Sequence, residues 1–161
     1  RRVGLIATAA SVRSGAYERC IGGLDPAVEV IAKACPLFVP LVENGRFRPG
    51  DTVIETVARE YLTPLRDTGI DTLILGCTHY PLLAEVIAGV MGSGVTLIDS
   101  GASAARALRQ TLSDKDLLAQ RASGTLTLYA SDQPQDFGAL APQFLRRPLE
   151  GAVLPVDIER Y

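Results

Sequence analysis

Short apolar segments rich in β-branched residues alternate along this chain with segments of helical periodicity. The segments predicted as strands are Val3–Ala7, Val28–Ala34, Thr72–Leu75, Val95–Ile98, Gly124–Tyr129 and Ala152–Val156. The predicted helices are Arg13–Gly22, Asp51 to Arg66, Pro81–Met91, Ser100–Thr111 and Pro134–Leu145. Largely apolar strands that alternate with helices are typical of a parallel sheet covered on both faces. We therefore predict a three-layer α/β fold, with an irregular, proline-interrupted loop over residues 36–50.

Charge and composition exclude several classes of protein. The formal net charge of −2 offers no general cationic field for phosphates, so we expect no nucleic-acid partner. No apolar run approaches the roughly 18 residues that cross a bilayer, so we expect no membrane partner either. The three cysteines are an odd number and have no metal or redox spacing, which favours free thiols and a cytoplasmic location.

The densest group of reactive side chains follows the third predicted strand, in the segment Leu75-Gly-Cys-Thr-His-Tyr-Pro81. In a parallel sheet, ligands bind beyond the carboxyl ends of the strands, where Cys77, Thr78 and His79 are expected. A helix N-terminus and an adjacent imidazole favour the thiolate form of a cysteine. A single buried cysteine is more often part of a core, and a lone histidine is more often structural. Their combination at this place favours catalysis, and zinc is a poor alternative because no second histidine exists.

Two further residues are expected at the same edge of the sheet. Glu43 follows the second strand, where it is either a catalytic carboxylate or a solvated loop side chain. Thr8 follows the first strand in a stretch of small and hydroxyl residues that could hold an anion, although helix capping by Ser11 would also explain that stretch. No glycine-rich nucleotide motif is present, and neither lysine suits a Schiff base, so we expect no cofactor.

The segment Leu73-Ile-Leu-Gly-Cys-Thr-His-Tyr-Pro-Leu82 resembles the second catalytic-cysteine motif of the cofactor-independent glutamate racemases in the aspartate/glutamate racemase superfamily. Further similarity lies in the segments 3–8, 12–17, 34–43 and 98–101. The family's first-lobe motifs, with the first cysteine, do not occur in the sequence. Because the chain also begins at Arg1 without a methionine, we interpret it as the later part of a longer protein.

The resemblance implies two similar α/β lobes that enclose glutamate, each supplying one cysteine to a two-base proton transfer. It implies that Cys77 is the acid/base of the second lobe, that His79 and Glu43 assist proton transfer, and that Thr78, His79 and Thr8 contact the substrate. By the same resemblance, residues 1–100 form the second lobe and residues 101–161 return to complete the first. With one of the two cysteines, the chain alone is expected to be inactive.

The implied biological role is the supply of D-glutamate for peptidoglycan in the bacterial cell wall. The resemblance also implies a homodimer and leaves activation by a peptidoglycan precursor open. Two other functions remain: an aspartate or hydantoin racemase of the same superfamily, and a non-catalytic α/β module that binds a small carboxylate.

Overall fold

The computed structural model of the protein describes residues 1–120 and 124–160, which fall into two compact units, Arg1–Asp114 and Lys115–Tyr161. The strands are β1 (Arg2–Ala7), β2 (Glu29–Ala34), β3 (Thr72–Gly76), β4 (Thr96–Asp99), β5 (Tyr129–Ala130) and β6 (Leu154–Pro155). The α-helices are α1 (Ala9–Ser14), α2 (Ala16–Leu24), α3 (Phe38–Glu43), α4 (Thr52–Arg66), α5 (Ala84–Met91), α6 (Ser100–Asp114) and α7 (Pro134–Leu145). Two 3-10 helices cover Tyr80–Leu83 and Ile158–Arg160. Within the described ranges, no helix is long and apolar enough to cross a membrane.

The first unit is built on a parallel four-stranded sheet in the order β2-β1-β3-β4. Ala7 at the end of β1 lies opposite Ala34 on one side and Gly76 on the other. The carboxyl ends of the three strands are therefore level. The chain leaves β1 towards β2 and then returns across β1 to β3, so the strand order reverses between β1 and β3. Such a reversal opens a crevice beyond the carboxyl ends, where open α/β sheets bind ligands.

The core lies between this sheet and the helices α3, α4 and α5. It combines sheet residues such as Ile6 and Leu73 with Ile54, Leu62 and Ile87 from α4 and α5, all without exposed surface. Helix α4 begins at the predicted place because the Asp51 carboxylate accepts the backbone N–H of Val53 at 2.9 Å. The predicted parallel α/β layering is confirmed.

Helices α1 and α2 pack against β1 and β2 outside that core. The connection from β1 to β2 runs in the opposite direction to those through α4 and α5, so right-handed crossovers place α1 and α2 on the other face of the sheet. No residue of α1 or α2 is fully buried, which leaves this second face more thinly covered than the first.

Several local predictions are wrong. The expected single helix Arg13–Gly22 is two helices, because Gly15 adopts φ of 60° between them. Residues 36–50 are not irregular throughout, since Phe38–Glu43 form α3 despite Pro40. Pro40 is the third residue of that helix, where a backbone N–H has no partner within the helix. The first part of the predicted helix Pro81–Met91 is a 3-10 turn.

The second unit contains β5, α7 and β6. Helix α7 occupies the predicted range, with Pro134 at its first position. The two predicted strands are much shorter than expected and pair with each other in parallel over two residues each. Tyr129 and Leu154 are exposed, so this small sheet gains little from burial.

Candidate active site

The carboxyl ends of β1 and β3 deliver two of the predicted site residues to the crevice. Thr8 follows Ala7 directly, and Cys77 follows Gly76, the residue paired with Ala7. Glycine is required at position 76 because an added Cβ would lie 2.9 Å from the Ile6 carbonyl oxygen and 2.8 Å from a Leu5 methyl carbon. The close approach of β3 to β1 thus places the Cys77 thiol, half-buried, at the point where the strand order reverses.

The residues after Gly76 form a tight turn that groups three polar side chains. The backbone N–H of Tyr80 donates to the Cys77 carbonyl at 3.2 Å and closes the turn. Within it, Nδ1 of His79 lies 3.9 Å from Cys77 Sγ and 3.3 Å from Thr78 Oγ1. The Cys77 thiol and the Thr78 hydroxyl therefore both lie near Nδ1 of His79, and either can form a hydrogen bond with it.

The other imidazole nitrogen faces a carboxylate. Nε2 of His79 lies 3.2 Å from Oε1 of Glu43, the last residue of α3. A carboxylate at Nε2 favours the tautomer with its proton on Nε2, which leaves the Nδ1 lone pair for the Cys77 thiol. The exposed fraction is 21% for the His79 side chain and 47% for Glu43, so the pair borders the solvent. Glu43, His79 and Cys77 thus form a chain of polar groups that can orient and move a proton.

Thr8 has a local role that the sequence did not predict. Its Oγ1 accepts the backbone N–H of Ser11 at 3.3 Å and lies 3.0 Å from the Ser11 hydroxyl. Thr8 therefore caps α1, and Ser11, the alternative candidate for a cap, lies inside the helix. The half-buried Thr8 stays at the predicted edge of the sheet, where its contact with a substrate remains a prediction.

The two other thiols differ sharply from Cys77. Cys35 has no exposed surface and lies in the core, and burial raises the pKa of its thiol to about 12, partly offset by the Lys33 charge. Cys20 is exposed on α2. Among residues 1–120 and 124–160, no three His, Cys, Asp or Glu side chains group as metal ligands do.

Two residues that support the site escaped the sequence prediction. The Ser100 hydroxyl donates to the Leu75 carbonyl at 3.1 Å and ties the start of α6 to β3. The buried Tyr80 hydroxyl donates to the Cys35 carbonyl at 3.0 Å. The available signals were the position of Ser100 directly after a strand and the position of Tyr80 directly after His79. Neither position indicates which distant carbonyl accepts the hydrogen bond.

The chain is similar to known proteins in both sequence and structure. The family model described as Asp/Glu/Hydantoin racemase matches residues 1–108. The glutamate racemase of Geobacter metallireducens is 43% identical over 159 residues, which are 98% of this chain and 58% of that protein.

Two solved structures share the fold over nearly the whole chain. Francisella tularensis glutamate racemase, solved with D-glutamate, has a TM-score of 0.88 at 35% identity and covers 99% of this chain and 59% of its own. The Thermus thermophilus glutamate racemase, solved with beta-chloro-D-alanine, has a TM-score of 0.82 at 41% identity, covering 100% and 58%. The chain thus spans somewhat under three fifths of the length of these relatives.

Proposed function

The chain belongs to the Asp/Glu/Hydantoin racemase family, as its cysteine motif predicts, and we propose that it supplies one half of the active site of a glutamate racemase. The observation that carries this proposal is the Cys77 thiol at the reversal of strand order, with His79 and Glu43 in line behind it. The similar proteins that are named glutamate racemases support glutamate as the substrate.

The proposed chemistry follows from what inversion of a stereocentre requires. Without a cofactor, a base must remove the α-proton from one face while an acid adds a proton to the other. In one direction the Cys77 thiolate takes the α-proton: the C–H bond breaks, an S–H bond forms, and the electron pair stays on the substrate until the opposite acid protonates it. In the other direction the Cys77 thiol is that acid. Nδ1 of His79, oriented by Glu43, accepts and returns the thiol proton between turnovers, while Thr78 and Thr8 hold the substrate.

The opposing thiol, in this proposal, comes from residues outside these 161. Of the two other cysteines, Cys35 is enclosed in the core and Cys20 is exposed on α2. The chain spans 58% of a 43%-identical racemase, which leaves room for a further lobe. We propose that residues 1–100 are the second lobe and residues 101–161 the segment that completes the first. The exposed apolar side chains of the second unit support this assignment.

The cellular setting is part of the same proposal. We propose that the protein acts in the cytoplasm and supplies D-glutamate for peptidoglycan. We also propose that it is a homodimer and works without a cofactor. A peptidoglycan precursor is the activator to test.

Circular dichroism of L-glutamate, followed in the complete protein that contains these residues, tests the function. Cys77→Ala should lower the rate of racemisation by about 10²–10⁴-fold, since it removes one of two acid/base groups. Cys20→Ala is the matched control and should keep the full rate, because that thiol is exposed within α2 and does not follow a strand. Residues 1–161 alone should not racemise glutamate.

An undiminished rate in Cys77→Ala would contradict the proposed role of this thiol. Aspartate and hydantoins, offered to the wild-type protein, identify a racemase of the same family with a different substrate. A non-catalytic carboxylate-binding module would show no turnover with any of them.

A further inference from the structure

Tyr80 is the largest fully buried side chain, and it directly follows His79 in the chain. Burial raises the pKa of its phenol well above the usual range, so the hydroxyl remains a hydrogen-bond donor at any working pH. That hydroxyl donates to the carbonyl of Cys35 at 3.0 Å, across 45 residues of sequence. A tyrosine next to the catalytic motif therefore has its polar end fixed on another element.

The Cys35 carbonyl lies three residues before Phe38, where α3 begins. It also accepts the backbone N–H of Phe38, the first residue of that helix, at 3.3 Å. The Tyr80 ring meets the Phe38 ring edge to face, with centroids 5.3 Å apart and planes at 89°. Edge-to-face packing of this kind stabilises beyond the area buried. The Tyr80 hydroxyl thus contacts the segment that leads into α3, and the Tyr80 ring contacts the first residue of that helix. Glu43 is the last residue of the same helix.

The backbone of Tyr80 holds the other partner. Its N–H closes the turn that carries Cys77 and His79 by donating to the Cys77 carbonyl at 3.2 Å. One residue therefore fixes the turn through its main chain and α3 through its side chain. An ion pair with a carboxylate as exposed as that of Glu43 has little orienting strength of its own, because water competes and two side chains must be ordered.

We propose that Tyr80 is a positioning residue for proton transfer: its hydroxyl sets α3 against the Cys77 turn and so keeps Glu43 on Nε2 of His79. The idea rests on the proposed function only in the claim that the His79–Glu43 pair serves catalysis. Tyr80 itself is enclosed in the core and touches no substrate.

The variant Tyr80→Phe keeps the ring and removes only the donor. Because His79 is the only histidine of the 161-residue chain, ¹⁵N NMR of its imidazole reports the tautomer directly. We expect the wild type to carry its neutral-state proton mainly on Nε2 and Tyr80→Phe to lose that preference in part. In the complete protein, kcat should fall by about 3- to 10-fold, the range that one hydrogen bond supports, with KM changed less than about twofold.

Ile70→Val is the control for general loosening of the core. It removes one methylene from the same buried cluster, but Ile70 lies just before β3, at the end of the sheet opposite the Cys77 turn and away from α3. We expect this control to lower thermal stability while leaving the His79 tautomer and kcat unchanged. Phe38→Leu provides a second route to the same anchor and should shift the tautomer in the direction of Tyr80→Phe, by less.

The outcomes separate the two proposals. An unchanged tautomer in both Tyr80→Phe and Phe38→Leu overturns the positioning role, as does an equal shift in Ile70→Val, which would reflect general loosening of the core. If the complete wild-type protein does not racemise glutamate, the proposed function fails, while the NMR comparison still decides whether Tyr80 positions the pair.

Discussion

At the scale of single residues, three cysteines of identical chemistry have three different environments. Cys77 lies half-buried against an imidazole, Cys20 is exposed on a helix, and Cys35 is sealed in the core beside Phe38 and Tyr80. Burial disfavours the thiolate, so the thiol of Cys35 is held in its protonated form. The free energy of unfolding should therefore depend on pH in the alkaline range.

The sign of this link follows from the direction of the shift. The pKa of Cys35 is raised from 9.0 to about 12 on folding, so the folded state holds the proton more tightly than the unfolded state. Its contribution is fully present below pH 9 and is lost as the pH rises towards 12, at about 1.4 kcal/mol per pH unit. Urea unfolding at pH 8 and pH 10.5 measures this loss. Cys35→Ala should be less stable at pH 8 but should lose less on going to pH 10.5; an equal loss in both proteins would contradict the assignment.

The residue scale also shows which contacts a sequence can predict. The grouping of Cys77, Thr78 and His79 is local, because the three residues are consecutive in the chain. The strand-to-helix context places the group at an edge of the sheet. The contact between His79 and Glu43 spans 36 residues and depends on α3. That helix was not predicted, because the prolines of the segment indicated an irregular loop. Sequence placed Glu43 at the correct edge of the sheet but could not give its partner.

At the scale of elements, the close approach of β3 to β1 determines where the thiol lies. An alanine Cβ at position 76 would meet the Ile6 backbone oxygen at 2.9 Å, and backbone atoms in the middle of a sheet cannot move aside cheaply. Hydrophobic periodicity cannot predict where two strands approach this closely. The alternation of strands and helices predicted the sheet, whereas the tight β1–β3 contact emerges only from the packed structure.

Gly76→Ala is therefore expected to destabilise the chain by about 1–3 kcal/mol, the typical cost of overpacking. Gly89→Ala is the matched control: it lies within α5, and an added Cβ there would meet no atom within 4 Å. Because alanine is the better helix former, the control should be neutral or more stable by up to about 1 kcal/mol. Chemical unfolding of both variants beside the wild type measures the contrast, and equal stabilities would refute a steric need for glycine at position 76.

At the scale of the whole molecule, the two compact units differ in how many apolar side chains they bury. The first unit has a buried cluster that joins the sheet to the helices α3, α4 and α5. In the second unit, Ala141 is the one buried apolar residue among those the structure describes. The apolar side chains it exposes include Leu126, Tyr129, Phe137, Leu154 and Ile158. A unit with so little buried apolar surface has little stability of its own.

Hydrogen exchange followed by mass spectrometry separates the two units in one experiment. In the 161-residue chain, amides of α7 and of β5 and β6 should open at a cost of about 1 kcal/mol or less, while those of β1 and β3 should approach the free energy of global unfolding. If the second unit completes a lobe begun elsewhere, its amides should become protected in the complete protein, because the exposed apolar side chains are then covered. The strands β1 and β3 serve as the internal reference, since their core is already present. Equal protection of both units in the 161-residue chain would mean that the second unit folds on its own and needs no further lobe.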